Sequence, residues 1–223
     1  MNFLVLSAER SLSPAEARRI LEQRAAFTAD LRRRGVLLDS ERLRPTIEAR
    51  RVTSTTITPG PFSDGLQTFW ALRADSLEAA LAIVSALPTS PGERLEVRPV
   101  MKGEFAPAKT DAPGKLFGFG VLGAASHEAG WVQVMNRIDD ATHDGFGSAF
   151  IAGVRLEAPR TGRTLLNQHG RNVVTDGPFL ESREIIGGLF FMRFAGLDDA
   201  VAWAQSTAFA RLGVAEVREV WRS

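Results

Sequence analysis

The sequence predicts an α+β chain in which one βαββαβ unit is written twice. Three observations carry the prediction. Thr175-Asp176-Gly177-Pro178-Phe179 has a weaker copy, Thr58-Pro59-Gly60-Pro61-Phe62, lying 117 residues earlier (Gly177 against Gly60). Leu77-Glu78-Ala79-Ala80-Leu81 and Leu197-Asp198-Asp199-Ala200-Val201 stand 120 residues apart, and so do Glu96-Val97-Arg98 and Glu216-Val217-Arg218. The step from 117 to 120 asks for three extra residues in the second copy, expected in a loop over 181–188.

In the first copy, Phe3 to Leu6 is an unbroken apolar run, the form of a strand covered on both faces. Ser13 is placed as an N-cap, with Pro14 at the first helical position and Glu16 closing a capping box. Ala17, Ile20, Leu21, Phe27 and Leu31 follow at helical spacing, and Gly35 ends the helix behind Arg32-Arg33-Arg34. Val36-Leu37-Leu38 opens a second strand, and the Thr-, Val- and Ile-rich segment from Leu43 to Thr58 reads as further extended structure or a hairpin arm. Pro59-Gly60-Pro61 forces a turn. Leu66 to Leu72 is a strand, Ser76 caps a helix through Leu77, Leu81 and Val84, and Leu95 to Val100 alternates with period two. This order is the split unit of a ferredoxin-like fold.

Met101 to Gly114, with two Gly and two Pro and no apolar period, reads as a linker. The domain boundaries are therefore 1–102, a linker at 103–114, and 115–223. In the second copy Leu116 to Leu122 is the first strand, although Gly118 and Gly120 weaken it, and a helix is expected from Asn136 to Ala152. Val154 to Leu156 and Thr164 to Thr175 are extended and lead into Asp-Gly-Pro-Phe. The strand Leu189 to Phe194, the helix Leu197 to Thr207 and the strand Ala215 to Val220 complete the unit.

Charge is nearly balanced, 27 Lys+Arg against 26 Asp+Glu, so no basic field points to nucleic acid. The absence of cysteine excludes a disulfide framework, a thiolate zinc site and a cysteine nucleophile, and suits a reducing cytosol. Met1 to Ser7 lacks a basic leader and gives way to Glu9-Arg10, so neither a signal peptide nor a membrane span is expected. A cytoplasmic protein is the expectation. Gly118-Phe119-Gly120 is not a dinucleotide fingerprint, no phosphate loop or nucleophile elbow is present, and the histidines lack HxH or HExxH spacing. No cofactor and no metal are expected.

Thr175 to Glu184, then Ile185-Ile186-Gly187-Gly188-Leu189-Phe190, the Leu-Asp-Asp-Ala helix start and the closing Glu-Val-Arg strand together resemble the YCII-related, or DGPF, domain family. The first copy carries the resemblance in Gly35 to Leu38, Gly60-Pro61-Phe62 and Leu95 to Val100, with Pro59 where the family has Asp. The resemblance implies a ferredoxin-like domain whose sheet pairs with another across a dimeric α-β barrel. Here two copies in one chain would build that barrel internally, giving a pseudo-dimeric monomer or a homodimer. For function it implies little beyond a His-Asp pair in some members and an association with extracytoplasmic-function sigma factors in others.

All three histidines, His127, His143 and His169, fall in the second copy, with the only Asp-Gly-Pro-Phe. His143 follows Asp139 and Asp140 by four and three residues and precedes Phe146 and Phe150, so it either looks inward from the edge of an apolar stripe or sits at the surface. Asp176 is a candidate general base or a carboxylate that holds His143; the alternative is a turn residue before Gly-Pro. Arg24 interrupts its helix stripe between Ile20 and Phe27, where it snorkels or meets an anion, snorkelling being preferred. Glu216 and Arg218, like Glu96 and Arg98, should face the opposing sheet, either toward a substrate or toward each other. The leading expectation is a small-molecule pocket between the sheets, with His143 and Asp176 as catalytic residues of an isomerase or lyase and Arg24, Glu216 and Arg218 binding the substrate. The alternative is a non-catalytic binding or interaction module connected to transcriptional regulation.

Overall fold

The computed structural model of the chain describes residues 1–8, 12–62, 66–105, 113–124, 150–168, 171–177, 184–207, 210–211 and 213–221. The first strand, β1 (Asn2–Ala8), is the apolar run, buried from Phe3 to Ser7. Helix α1 (Pro14–Arg33) starts where the sequence places it: the Ser13 side chain accepts from the Glu16 N–H while the Glu16 carboxylate accepts from the Ser13 N–H. These hydrogen bonds from Ser13 hold the Glu16 carboxyl below its ordinary range. Gly35 leaves the helix at φ +68, a left-handed conformation that glycine adopts without a Cβ penalty.

Strand β2 (Leu37–Arg42) follows, then a 3-10 turn at Thr46–Glu48 and a hairpin of β3 (Arg50–Val52) and β4 (Ile57–Pro59). Next come β5 (Leu66–Arg73), helix α2 (Leu77–Val84), capped by Ser76, and β6 (Arg94–Glu104). The C-terminal half contains β7 (Lys115–Ala124), β8 (Phe150–Leu156), a 3-10 turn at Pro159–Thr161, β9 (Arg163–Gln168) and β10 (Arg171–Asp176). It closes with β11 (Glu184–Phe194), helix α3 (Leu197–Ser206) and β12 (Val214–Glu219).

Among the described residues all the strand pairings are antiparallel. The main path runs β2-β5-β1-β6-β8-β11-β7-β12-β3-β4, with β9 beside β6 and β10 beside β9. Corresponding strands of the two halves stand in the same order, and each half sends its hairpin onto the last strand of the other. β3 pairs with β12, placing Arg51 opposite Glu216, and β9 pairs with β6, placing Thr164 opposite Glu96. At one junction β6 pairs with β8, Val100 opposite Leu156. At the other, Leu43 bridges Val220, the Arg44 N–H donates to Glu219 O (2.9 Å) and the Trp221 N–H donates to Arg42 O (2.6 Å). The sheet therefore curls until the ends of β2 and β12 meet.

Its inner face is filled by side chains from both halves, among them Leu4, Leu6, Phe69, Leu189 and Phe191, with the Phe69 and Phe191 rings 5.0 Å apart. The outer face of the N-terminal half packs Phe3, Val5, Leu95 and Val97 against Leu31 of α1 and Ala80 and Val84 of α2. That of the C-terminal half packs Phe117, Phe119 and Val217 against Ala200, Val201 and Ala204 of α3.

Several expectations are corrected. Phe150 to Ala152, predicted as the end of a helix, begin β8; the strand is covered on both faces, which removes the alternation that would have marked it. Residues 136–149 of that predicted helix lie outside the described residues. β6 runs two residues into the predicted linker, held there by β8. β11 already begins at Glu184, so residues 184–188, expected within a loop, are strand; the bulge there between Ile186 and Gly188 has a like irregularity on β5 between Leu66 and Thr68.

Candidate functional site: a cavity beneath helix α1

A cavity of about 160 Å³ opens between the N-terminal half of α1 and the end of the sheet. Ala17, Ile20 and Leu21 line one wall, joined by Leu12 from the turn before the helix. The facing wall is polar: Arg42 at the end of β2, Gln67 near the start of β5, and Ser90 and Glu93 from the segment before β6. Arg24, one turn beyond Ile20, stands between the two walls.

Arg24 does not snorkel. Its side chain is 7 % exposed and ion-pairs with Glu93, itself 5 % exposed; its Nε–H donates to Pro88 O at 3.0 Å. Its guanidinium lies over the Trp70 ring, 5.3 Å from the centroid, and the Trp70 indole N–H is fixed by Thr28 Oγ1. Both Glu93 oxygens are engaged. Oε1 accepts from Arg24 and from Ser7 Oγ (2.7 Å), and Oε2 accepts from the Ser90 N–H (2.9 Å) and Ser90 Oγ (3.2 Å). A buried ion pair needs such additional hydrogen bonds to offset the desolvation of two charges. The preference for snorkelling fails because the anion lies 69 residues away in the sequence, between Gly92 and Arg94, where no local pattern announces it. Besides Arg24 itself, Ser7, a hydroxyl buried at the end of the apolar run, was a local signal of a polar site.

Glu216 and Arg218 are buried on the inner face and bonded to each other at 2.5 Å. Arg51 approaches the second Glu216 oxygen at 2.9 Å, and Arg218 also donates to Arg44 O at 3.1 Å. Glu96 and Arg98 form the corresponding pair at 2.7 Å, and Arg98 donates to Glu157 O. None of the four lines the cavity. Asp176 ends β10 with a side chain 90 % exposed, its carboxylate 3.0 Å from Arg163 Nε. His143, His127 and His169 lie outside the described residues. Among the described residues, no three His, Asp or Glu side chains are grouped to hold a metal ion, and no helix is long and apolar enough to cross a membrane.

Residues 102–223, more than half of the sequence, match the family model of the YCII-related domain. The chain belongs to the YCII-related family. Three solved structures are similar to this YCII-related chain at low identity. A Fusobacterium nucleatum subsp. nucleatum protein provisionally described as a monooxygenase is 6% identical, with 98% of this chain and 89% of that one covered and a TM-score of 0.43. A provisional chlorite dismutase is 8% identical over 99% and 94%, with a TM-score of 0.39, and an anthrone oxidase-like protein is 10% identical over 99% and 92%, with a TM-score of 0.36. No curated protein matches the sequence.

Proposed function

We propose that the chain is a small-molecule binding protein and that the cavity beneath α1 is its binding site. The observation that carries this reading is the state of Glu93. Among the described residues it is the only carboxylate in the cavity wall, and Arg24, Ser7 and Ser90 occupy both its oxygens, so it organises the site instead of standing ready to take a proton from a ligand. An apolar wall facing a few fixed polar groups is the usual composition of a ligand site. The test is calorimetric titration with small aromatic and aliphatic acids and lactones, on the natural chain and on Ala17→Phe, which places a ring in the cavity from an incompletely buried position. Saturable binding lost in Ala17→Phe is expected; binding that survives the substitution, or no binding by any probe, overturns the assignment.

Proton transfer by His143 and Asp176, as in an isomerase or lyase, rests on the sequence alone, and the exposed Asp176–Arg163 pair favours a surface role for Asp176. Turnover of a bound lactone that disappears in both Asp176→Asn and His143→Ala would restore the catalytic reading.

We also infer that the chain is a tandem duplication of a ferredoxin-like unit, joined into one barrel. The common strand order, the reciprocal hairpins, and the paired contacts Arg98 to Glu157 O and Arg218 to Arg44 O support it. On this reading the protein unfolds independently of concentration as a species of 24.3 kDa, or as a dimer whose dissociation leaves the chain folded. Sedimentation showing loss of structure on dilution would count against it.

A further inference from the structure

We propose that strand β10 is the seam of a homodimer, joining edge to edge with β10 of a second copy of the chain about a two-fold axis at Val174. The proposal is independent of the cavity beneath α1 and adds an interaction surface in the other half of the chain.

The two hairpins end in unlike outer strands. β4 is three residues long and finishes on Pro59. Short length and proline are two ways in which an exposed edge is kept from pairing with another chain. β10 has six residues, no proline and no bulge, and stays in register with β9 from Arg171 opposite Gln168 to Asp176 opposite Arg163. Among the described residues β9 is its sole partner strand, and all six residues of β10 are exposed, Val173 by 39% and Val174 by 48%. The strand is also held in place. Asn172 Nδ2 donates to the carbonyl of Ser85, the C-cap of α2, at 2.8 Å, and the Asp176 carboxylate lies 3.0 Å from Arg163 Nε. An edge fixed in this way pays little ordering entropy on association.

The phase of the hydrogen bonds decides which groups the edge offers. The Gly177 N–H donates to Gly162 O, continuing the pairing of β9 and β10 by one residue, and on the far side of β9 the Asn167 N–H donates to Glu93 O. Bonded and non-bonded positions alternate along an antiparallel pair. Arg171, Val173 and Thr175 therefore bond to β9, while Asn172, Val174 and Asp176 direct their backbone N–H and C=O groups outward. A two-fold axis perpendicular to the sheet leaves every side chain on its own face, so it pairs these outward residues only with one another. With the axis at Val174, the two valines face each other and Asn172 of each copy faces Asp176 of the other. The valines bury one another, the Asn172 amide stands beside a carboxylate, and the Arg171 end of each strand lies at the Asp176 end of its neighbour, which keeps like charges apart. A strand that complements itself in this register is suited to a second copy of the same chain.

The experiment is sedimentation of the full chain over a range of concentrations, with Val174→Lys, Val174→Glu and an equal mixture of the two. The natural chain is expected to rise from 24.3 kDa toward twice that mass with concentration. Either variant alone sets like charges face to face on the axis and should associate about tenfold or more weakly, whereas the mixture sets Lys opposite Glu and should recover the dimer. Both variants should unfold thermally at the temperature of the natural chain, since the position is half exposed. A dimer indifferent to both substitutions, or a mixture that stays apart, would overturn the proposal. So would a natural chain that remains at 24.3 kDa at every concentration, and that result would leave the edge to a strand of another protein.

Discussion

The two halves lay corresponding strands in the same order and fill the inner face differently. On β1, Leu4 and Leu6 stand opposite Arg98 and Glu96; on β7, Gly118 and Gly120 stand opposite Arg218 and Glu216. Across the next strand, Leu4 meets Ala71 whereas Gly118 meets Phe191, so bulk lost on one strand is returned by its neighbour. A Cβ on Gly118 would lie 2.9 Å from Leu43 Cδ2 and 3.3 Å from Phe191 Cε1. Gly120 has no such compensation on β11, where Leu189 stands in place of Phe69, and a Cβ there would meet nothing closer than 3.9 Å. Charge is redistributed too: Arg51 supports Glu216, while the position facing Glu96 is Thr164, whose hydroxyl donates to Gly177 O. Backbone register is what the halves share. Size and charge at equivalent positions are free to diverge, so a site can belong to one half.

The sharpest test of that divergence is the buried pair beneath α1. Glu93→Gln leaves Arg24 enclosed without its carboxylate, and a loss of about 3–5 kcal/mol in urea unfolding is expected. A loss under about 1 kcal/mol, the scale of an exposed pair, would mean that Arg24 reaches water and that the site is not built as described.

The paired glycines give the next largest effect. Gly118→Ala should destabilise by about 1–3 kcal/mol through overpacking. Gly120→Ala should be neutral or stabilise by up to about 1 kcal/mol, because it fits without displacement and restricts the unfolded chain. Equal effects at the two sites would erase the distinction between them.

A third contrast sets Asp39 on β2 against Ala152, its counterpart on β8 by register. Burial pushes the Asp39 carboxyl above its ordinary range, outweighing the Ser40 N–H and Arg32, which pull it down. A raised pKa means that the folded state holds the proton more firmly than the unfolded chain. Its contribution is most favourable below the ordinary carboxyl range and is lost as pH rises through the raised pKa. In Asp39→Ala the unfolding free energy, measured from about pH 3 to pH 7, should therefore gain on the natural chain with rising pH. A constant difference would remove Asp39 as the cause.

The smallest effects lie at the helix caps. Ser76 accepts from the Ala79 N–H at the start of α2, whereas α3 starts at Gly196 without a side-chain cap. Ser76→Ala should cost about 1 kcal/mol, and Gly196→Ser, in extended backbone with open space at its Cβ, should gain a few tenths. Thermal unfolding resolves the first directly and the second against repeated controls.

What the sequence disclosed followed range. Ser13, Glu16 and Ser76 act on backbone a few residues away, and their caps stand as read. The repeated Glu-Val-Arg segments fall on strands at like places in the sheet order of the two halves. They did not reveal that Phe150 to Ala152 pair as strand, because the partners in β11 are some forty residues distant and both faces are covered. The cavity was nearly invisible for the same reason: of its polar groups only Arg24 was singled out, and Arg42, Ser90 and Glu93 acquire their roles when β2, β6 and α1 converge. The Gly-Pro-Phe copies carry a further lesson. Gly60 is needed because a Cβ would sit 1.8 Å from Thr46 O, whereas Gly177 has open space but φ of +83. The same letter stands at the two positions for two different reasons.

The exchange of hairpins makes each half the lid of the other's last strand. Parted from its neighbour, either half would present the bare hydrogen-bonding edge of β6 or β12 and a half-lined inner face to water. Fragments cut between the halves would thus behave as complementary pieces that fold by finding one another, and the intact chain holds those pieces at a high effective concentration.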